Sequence, residues 1–279
     1  MNFFFISYFV LGCSIAHAAE SPSLWEYGIG FGYIQFEQYP ASSQSNYLLL
    51  PFPTFQYRGK ILRADDREGT RAYLFKGDTV SVELSGGGHT SLDSSANTAR
   101  EGMPDLPWMI SLGPQVVGHL TDGLELRVKF FQATSTDFAY TKFNGATTES
   151  QIIFSHRDAI QGLPTRARFS LSAKAATQEY LATYFEVQPR YVNASRTAYV
   201  ARSGFLELEL SYFQSVKVDK ASYYLGASAH DYSQSVNQSS PLHKSDYTFS
   251  FLIGMTYTLG QSQRDSVPEQ EIEGILKKP

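Results

Sequence analysis

The residues best suited to chemistry sit at the ends of alternating segments. His230-Asp231 and Asp65-Asp66 bring imidazole and carboxylates to what reads as one rim, a set resembling that of rim proteases, in which an acid and an imidazole activate water. Adjacent residues of a strand point to opposite faces, so only one of each pair can share an interior; ordinary rim polarity is the simpler reading. No Gly-x-Ser-x-Gly occurs. His89, His119, His156, His230 and His243 lack metal-ligand spacing, and His156-Arg157-Asp158 falls in an expected turn. Gly86-Gly87-Gly88 is followed by neither Gly-Lys-Ser/Thr nor a helix, so it suits a bend or bulge rather than a phosphate. The expectation is no catalytic residue, no cofactor and no metal site. A larger set is charge interleaved with aliphatics: Glu125, Arg127 and Lys129, then Glu207 and Glu209, with Glu26, Glu83, Arg168 and Lys174 on the same kind of face. Mixed signs suit salt bridges across a narrow lumen better than a selective pore.

Such charges need strands to carry them. Tyr247, Phe249, Phe251, Ile253, Met255, Tyr257 and Leu259 alternate with smaller or polar residues. That run is long for a globular strand and fits a tilted membrane strand with aromatics near both ends. Trp25, Tyr27, Ile29, Phe31 and Tyr33 oppose Glu26, Gly28, Gly30 and Gly32 in the same way. The pattern predicts an all-β, closed antiparallel transmembrane barrel with strands near 25–33, 46–57, 60–65, 70–75, 78–88, 107–120, 123–134, 148–156, 165–174, 203–213, 219–231 and 246–259. These make twelve. If 60–75 is one long strand bulged at Gly69, ten is the alternative. Turns at 58–60, 76–78, 121–123, 157–164 and 214–218 are short. Connections at 34–45, 66–69, 89–106, 135–147, 175–202 and 232–245 are mostly long, the inner and outer ends of an outer-membrane barrel. Pro51 and Pro53 stand mid-strand, where each removes a ladder donor and marks a bulge or kink.

Composition agrees. The 279 residues are 42% hydrophobic, which excludes disorder, and a net charge of −4 gives no basic surface for nucleic acid. Beyond residue 18 no apolar run reaches membrane-helix length. Residues 1–18 read as a signal peptide ending at Ala16-His17-Ala18, although no Lys or Arg precedes Arg58. Val10-Leu11-Gly12-Cys13 also resembles a lipobox, which leaves lipidation of Cys13, the one cysteine, as an alternative. Residues 19–259 form the barrel and 260–279 a polar periplasmic tail. Gln178 to Thr183, inside an outer loop, has helix-forming composition for about one turn.

The chain resembles the MipA/OmpV family of outer-membrane proteins, named for an MltA-interacting protein. The resemblance is carried in order by Trp25-Glu26-Tyr27-Gly28-Ile29-Gly30, Leu50-Pro51-Phe52-Pro53-Thr54-Phe55-Gln56-Tyr57-Arg58-Gly59, Arg63-Ala64-Asp65 with Arg67-Glu68-Gly69, Ala99-Arg100-Glu101-Gly102-Met103-Pro104-Asp105-Leu106, Leu112-Gly113-Pro114 and Tyr184-Phe185-Glu186-Val187. It implies the outer membrane and a non-enzymatic scaffold joining a lytic transglycosylase to a penicillin-binding protein. The loop Arg100, Glu101, Gly102, Met103, Pro104 and Asp105 becomes a candidate recognition surface, or a constrained loop folded over the barrel mouth. A small-solute channel is the alternative function, and a rim hydrolase a third. Gly254, Tyr257 and Leu259 resemble a barrel assembly signal, yet a twenty-residue tail follows.

A chain patterned this way is expected to partition into liposomes and to aggregate without detergent. Flotation of the refolded mature polypeptide checks this; a compact monomer in plain buffer that ignores vesicles would refute it.

Overall fold

The computed structural model describes residues 22–65, 69–136, 140–160 and 163–267, the side chains of 158–160 excepted. Twelve strands form a closed barrel: β1 (Trp25–Glu37), β2 (Ser45–Arg58), β3 (Leu62–Asp65), β4 (Gly69–Lys76), β5 (Val80–His89), β6 (Trp108–Thr121), β7 (Leu124–Thr136), β8 (Thr141–Ile160), β9 (Leu163–Ala176), β10 (Gly204–Val218), β11 (Ala221–Asp231) and β12 (Tyr247–Gln261). Each pairs antiparallel with its sequence neighbour, and β1 also pairs with β12. Residues 60–75 are therefore two strands, and Gly69, with φ 76°, opens the second.

The register sorts the side chains. Outward go Tyr27, Ile29 and Phe31 on β1, Leu126 and Phe130 on β7, Leu208 and Leu210 on β10, and the odd-numbered residues 247–257 of β12. Many of these are around half exposed. An apolar surface this continuous is stable only against lipid. Trp25, Tyr27, Tyr223 and Tyr257 mark the base of the apolar band, and Tyr47, Trp108 and Tyr247 its top, as interfacial aromatics do. Among the described residues no helix is long and apolar enough to cross a membrane.

Several strands outrun their sequence signal. β7 and β8 fill most of 135–147, which reads as a loop because Thr141, Lys142 and Asn144 hide the alternation. At the base, β8 and β9 pair through Ile160 and Leu163, so His156 and Arg157 lie in the ladder rather than in a turn. β10 runs to Val218, and Asp219 turns the chain with φ 52°. Past β12, residues 262–267 run beneath the barrel. Leu24 N donates to the Arg264 carbonyl, Ser266 N to that of Pro22 and Val267 N to that of Arg58. The leader with Cys13, and the tail from residue 268, lie outside the described residues.

At the other end the loops build their own core. Tyr39 and Ala41 (after β1), Leu92 and Leu106 (after β5), Leu181 and Phe185 of α1 (Gln178–Phe185), and Tyr232 and Leu242 (after β11) bury one another. These loops rise from different parts of the ring, so their shared core lies across the mouth as a roof. The sequence signal for about one helical turn thus becomes two, because burial of Tyr180, Leu181, Tyr184 and Phe185 stabilises a helix too short to stand alone.

One part of the wall is short. β2 pairs with β3 only at Tyr57↔Ala64 and Arg58↔Arg63. Above that point, among the described residues, 45–56 are paired with β1 alone. Pro51 and Pro53 face Phe31 and Ile29 in an intact β1–β2 ladder. Their missing N–H groups therefore belong to the opposite, unpaired edge, the position a strand proline tolerates. They mark an edge, not a kink.

Glycine matters most at the β1–β12 closure. A Cβ on Gly28 would stand 2.2 Å from the Tyr257 carbonyl oxygen. Gly28→Val is expected to lower barrel stability by about 1–3 kcal/mol. Gly87→Ala, with nothing within 4 Å of the added atom, is expected to leave stability unchanged. Heat-modifiable gel mobility of the two variants checks the difference.

Candidate binding site beneath the outer loops

Inward positions bring residues from distant strands together. On the charged wall, Arg127 Nη2 lies 2.6 Å from Glu125 Oε2 on the same strand, and Lys129 Nζ lies 2.8 Å from Glu149 Oε1 across to β8. Lys174 Nζ of β9 is 3.6 Å from Glu207 Oε1 of β10, and His230 Nδ1 of β11 is 3.0 Å from Glu207 Oε2. Glu209 stands opposite His230 and Ser172 in the register. Thus Glu125, Arg127, Lys129, Glu207 and Glu209 all lie on the inner face, and all but Glu209 are in close ion pairs. Further round, Gln115 Nε2 donates to Glu83 at 2.6 Å, Arg71 meets Asp65 at 3.0 Å, and Arg58 meets Glu26 at 2.6 Å near the base.

The densest cluster lies under the roof. Glu37, at the last position of β1, accepts hydrogen bonds from Tyr232 Oη and Thr248 Oγ1. Glu37, Glu207 and His230 each bring a ligand-type atom within 4.8 Å of the others, the spacing of a possible cation site. The donor set speaks against a metal. Both Glu37 oxygens already accept hydroxyl protons, and the Lys174 ammonium already faces Glu207. Burial holds the Tyr232 phenol well above its ordinary pKa, so it remains a donor to Glu37. The cluster is a satisfied hydrogen-bond knot that ties β1, β9, β10, β11 and β12 together.

Beside it is a cavity of about 380 Å³ whose lining includes Glu37, His230, His89 of β5, Leu48 of β2 and Tyr184 of α1. Ligand pockets commonly begin near this size. Burial raises the Tyr39 phenol to about 12, and the hydroxyl donates to the Leu242 carbonyl at 2.9 Å, so Tyr39 itself stays uncharged.

A family model described as MltA-interacting protein MipA matches residues 29–259. The chain belongs to the MipA family. No curated protein matches it. Among solved structures, this MipA-family barrel is similar to Pseudomonas aeruginosa OccK8 (OprE), at 8% identity and TM-score 0.24, covering 74% of this chain and 68% of that one. It is also similar to Pseudomonas aeruginosa OccK2 (OpdF), at 10% identity and TM-score 0.22, covering 75% and 66%.

The loop 100–105 lies in the roof, at the end opposite the chain's base. Arg100 is buried, and its guanidinium donates to Ser94 Oγ and to the carbonyls of Tyr184 and Pro104. Gly102 takes φ 76°, Met103 packs on the roof core, and Asp105 Oδ1 accepts from Ser94 N at 2.8 Å. Arg196, far along the chain, grips the carbonyls of Ala99 and Glu101. Glu101 and Pro104 are exposed.

The two halves of the rim pair do not form one site. His230 is held by Glu207, and Asp65 by Arg71. β2, β1 and β12 separate β3 from β11 in the wall, and Asp66 lies outside the described residues. Sequence reasoning missed Glu37, which it placed in a loop, and His89. The signal was faint: Glu37 continues the β1 run, but Gln35 interrupts the apolar alternation there.

Glu207 is the hub of the knot. Glu207→Ala leaves the half-buried Lys174 and His230 without their shared carboxylate and is expected to cost up to about 3 kcal/mol. Lys129→Ala, at a more exposed pair, is expected to cost less. Urea unfolding in vesicles ranks the two.

Proposed function

We propose that this chain is an outer-membrane barrel acting as a non-conducting, non-catalytic platform whose base docks cell-wall enzymes. The partners in this reading are a lytic transglycosylase and a penicillin-binding protein; the family description itself names an MltA-interacting protein. The observation that carries the reading is the closed upper half. A roof with its own core spans the mouth, and paired charges crowd the inner wall. Among the described residues, the protein surface left at the base is the short turns and residues 262–267.

In this reading the loop 100–105 is a roof tie, since it sits on the face away from a periplasmic partner, and the lumen charges serve as a plug. The apolar outer wall and the short turns at one end support the outer membrane as its place. The pairing of His230 with Glu207 and of Asp65 with Arg71 supports the reading without catalysis.

Two cysteine variants carrying the same cross-linker test the docking face in whole cells. Asp122→Cys, exposed in a base turn, is expected to capture a murein lytic or synthetic enzyme, and Glu101→Cys, exposed in the roof, is not. Planar-bilayer recording is expected to give no steps. Steps that change size in Arg127→Gln or Lys129→Gln would replace this reading with a channel.

A further inference from the structure

The short hairpin β3–β4 leaves a lateral seam in the wall. Among the described residues, β2 residues 45–56 have no strand partner on the side away from β1. On the other rim, the β4–β5 ladder ends at Arg71↔Ser85, and Gly86 to His89 of β5 pair, among the described residues, with β6 alone. Four such residues span about 13 Å. The 380 Å³ cavity is lined from both rims, by Leu48 on one side and by Gly88 and His89 on the other. The seam and the cavity are therefore continuous.

The inner surface beside the seam differs from the rest of the lumen. Leu48, Leu50 and Phe52 alternate with the outward Leu49, Pro51 and Pro53, so they point inward. They remain 37%, 45% and 40% exposed. Phe52 lies across Gly30, where a Cβ would meet its ring at 2.4 Å, so the β1 glycines make room for an aromatic surface. The far wall carries Lys129, Glu149, Lys174 and Glu207. Exposed apolar residues inside a wet lumen are costly, and an unpaired edge in hydrocarbon is tolerated only where it borders a polar cavity. An acyl chain covers the apolar residues, and the polar cavity rather than the chain serves the unpaired edge.

We propose that the seam admits a single-chain amphipath from the bilayer. Its chain lies along Leu48, Leu50 and Phe52, and its uncharged, hydroxyl-bearing head lies among Glu37, His89 and His230. An anionic head would meet the carboxylates of Glu37 and Glu207 and a cationic head the Lys174 ammonium beside them, so a polyol head of the monoacylglycerol type fits the site. The inference needs the barrel to sit in lipid, and is independent of the docking role at the base.

The mature protein in phospholipid nanodiscs is irradiated with a monoacylglycerol carrying a mid-chain diazirine, and adducts are mapped by peptide mass spectrometry. Adducts on Ile34, Leu48, Leu50 and Phe52 are expected. Adducts confined to outward Leu49, Pro51 and Phe55 would mean boundary lipid only and overturn the proposal. Gly87→Trp, which fills open space on the β5 rim, and Leu48→Asp are each expected to cut inward labelling at least fivefold and leave outward labelling unchanged. Both variants are first checked for a folded, heat-modifiable band. Folded variants with undiminished inward labelling would overturn the seam as the route. The matching fatty acid is expected to label inward positions at least fivefold less, and equal labelling would overturn the head-group assignment.

Discussion

A sheet placed in hydrocarbon must pair its backbone N–H and C=O groups within itself, because lipid offers no partner. Everything in this barrel follows from how that demand is met. Twelve strands close through the β1–β12 ladder, and among the described residues the demand is relaxed along Gly86 to His89 of β5 and, facing it, along the β2 edge above β3. Pro51 and Pro53 stand there, so two donors are missing where no acceptor exists. The short hairpin, the prolines and the cavity behind them are one feature seen at three levels.

The interior divides by chemistry. Charges of both signs neutralise one another across β7 to β11, where Arg127, Lys129, Lys174 and His230 each lie within 3.6 Å of a carboxylate that offsets the cost of burial. The wall beside the seam is aliphatic and aromatic. Above both, the roof behaves like a small soluble protein. It has a buried core, a two-turn helix and guanidinium groups gripping loop carbonyls. The barrel proper has its apolar side outside, so this roof is where the chain keeps most of its conventional core.

The legibility of the sequence varied along the chain for physical reasons. β12 was plain because Tyr247 to Tyr257 keep aromatic or aliphatic residues on every lipid-facing position. The start of β8 was not, because Thr141, Lys142 and Asn144 lie near the top, where water tolerates polar side chains and alternation lapses. The two strands in 60–75 were ambiguous because four residues are too few to show a period. Arg100 was visible as part of a distinctive loop, but its role as a tie was not, since Ser94 and Tyr184 meet it only in the fold.

Local order alone determined the all-β class, the centres of the strands and the apolar outer face. A period of two is a property of neighbours, and neighbours are written in the sequence. Only the tertiary structure decided that Glu37, Glu207 and His230 share a knot, that loops from different parts of the ring share a roof, and that β2 keeps a free edge beside a cavity. Those outcomes depend on ring closure and register, which bring together residues up to about two hundred positions apart.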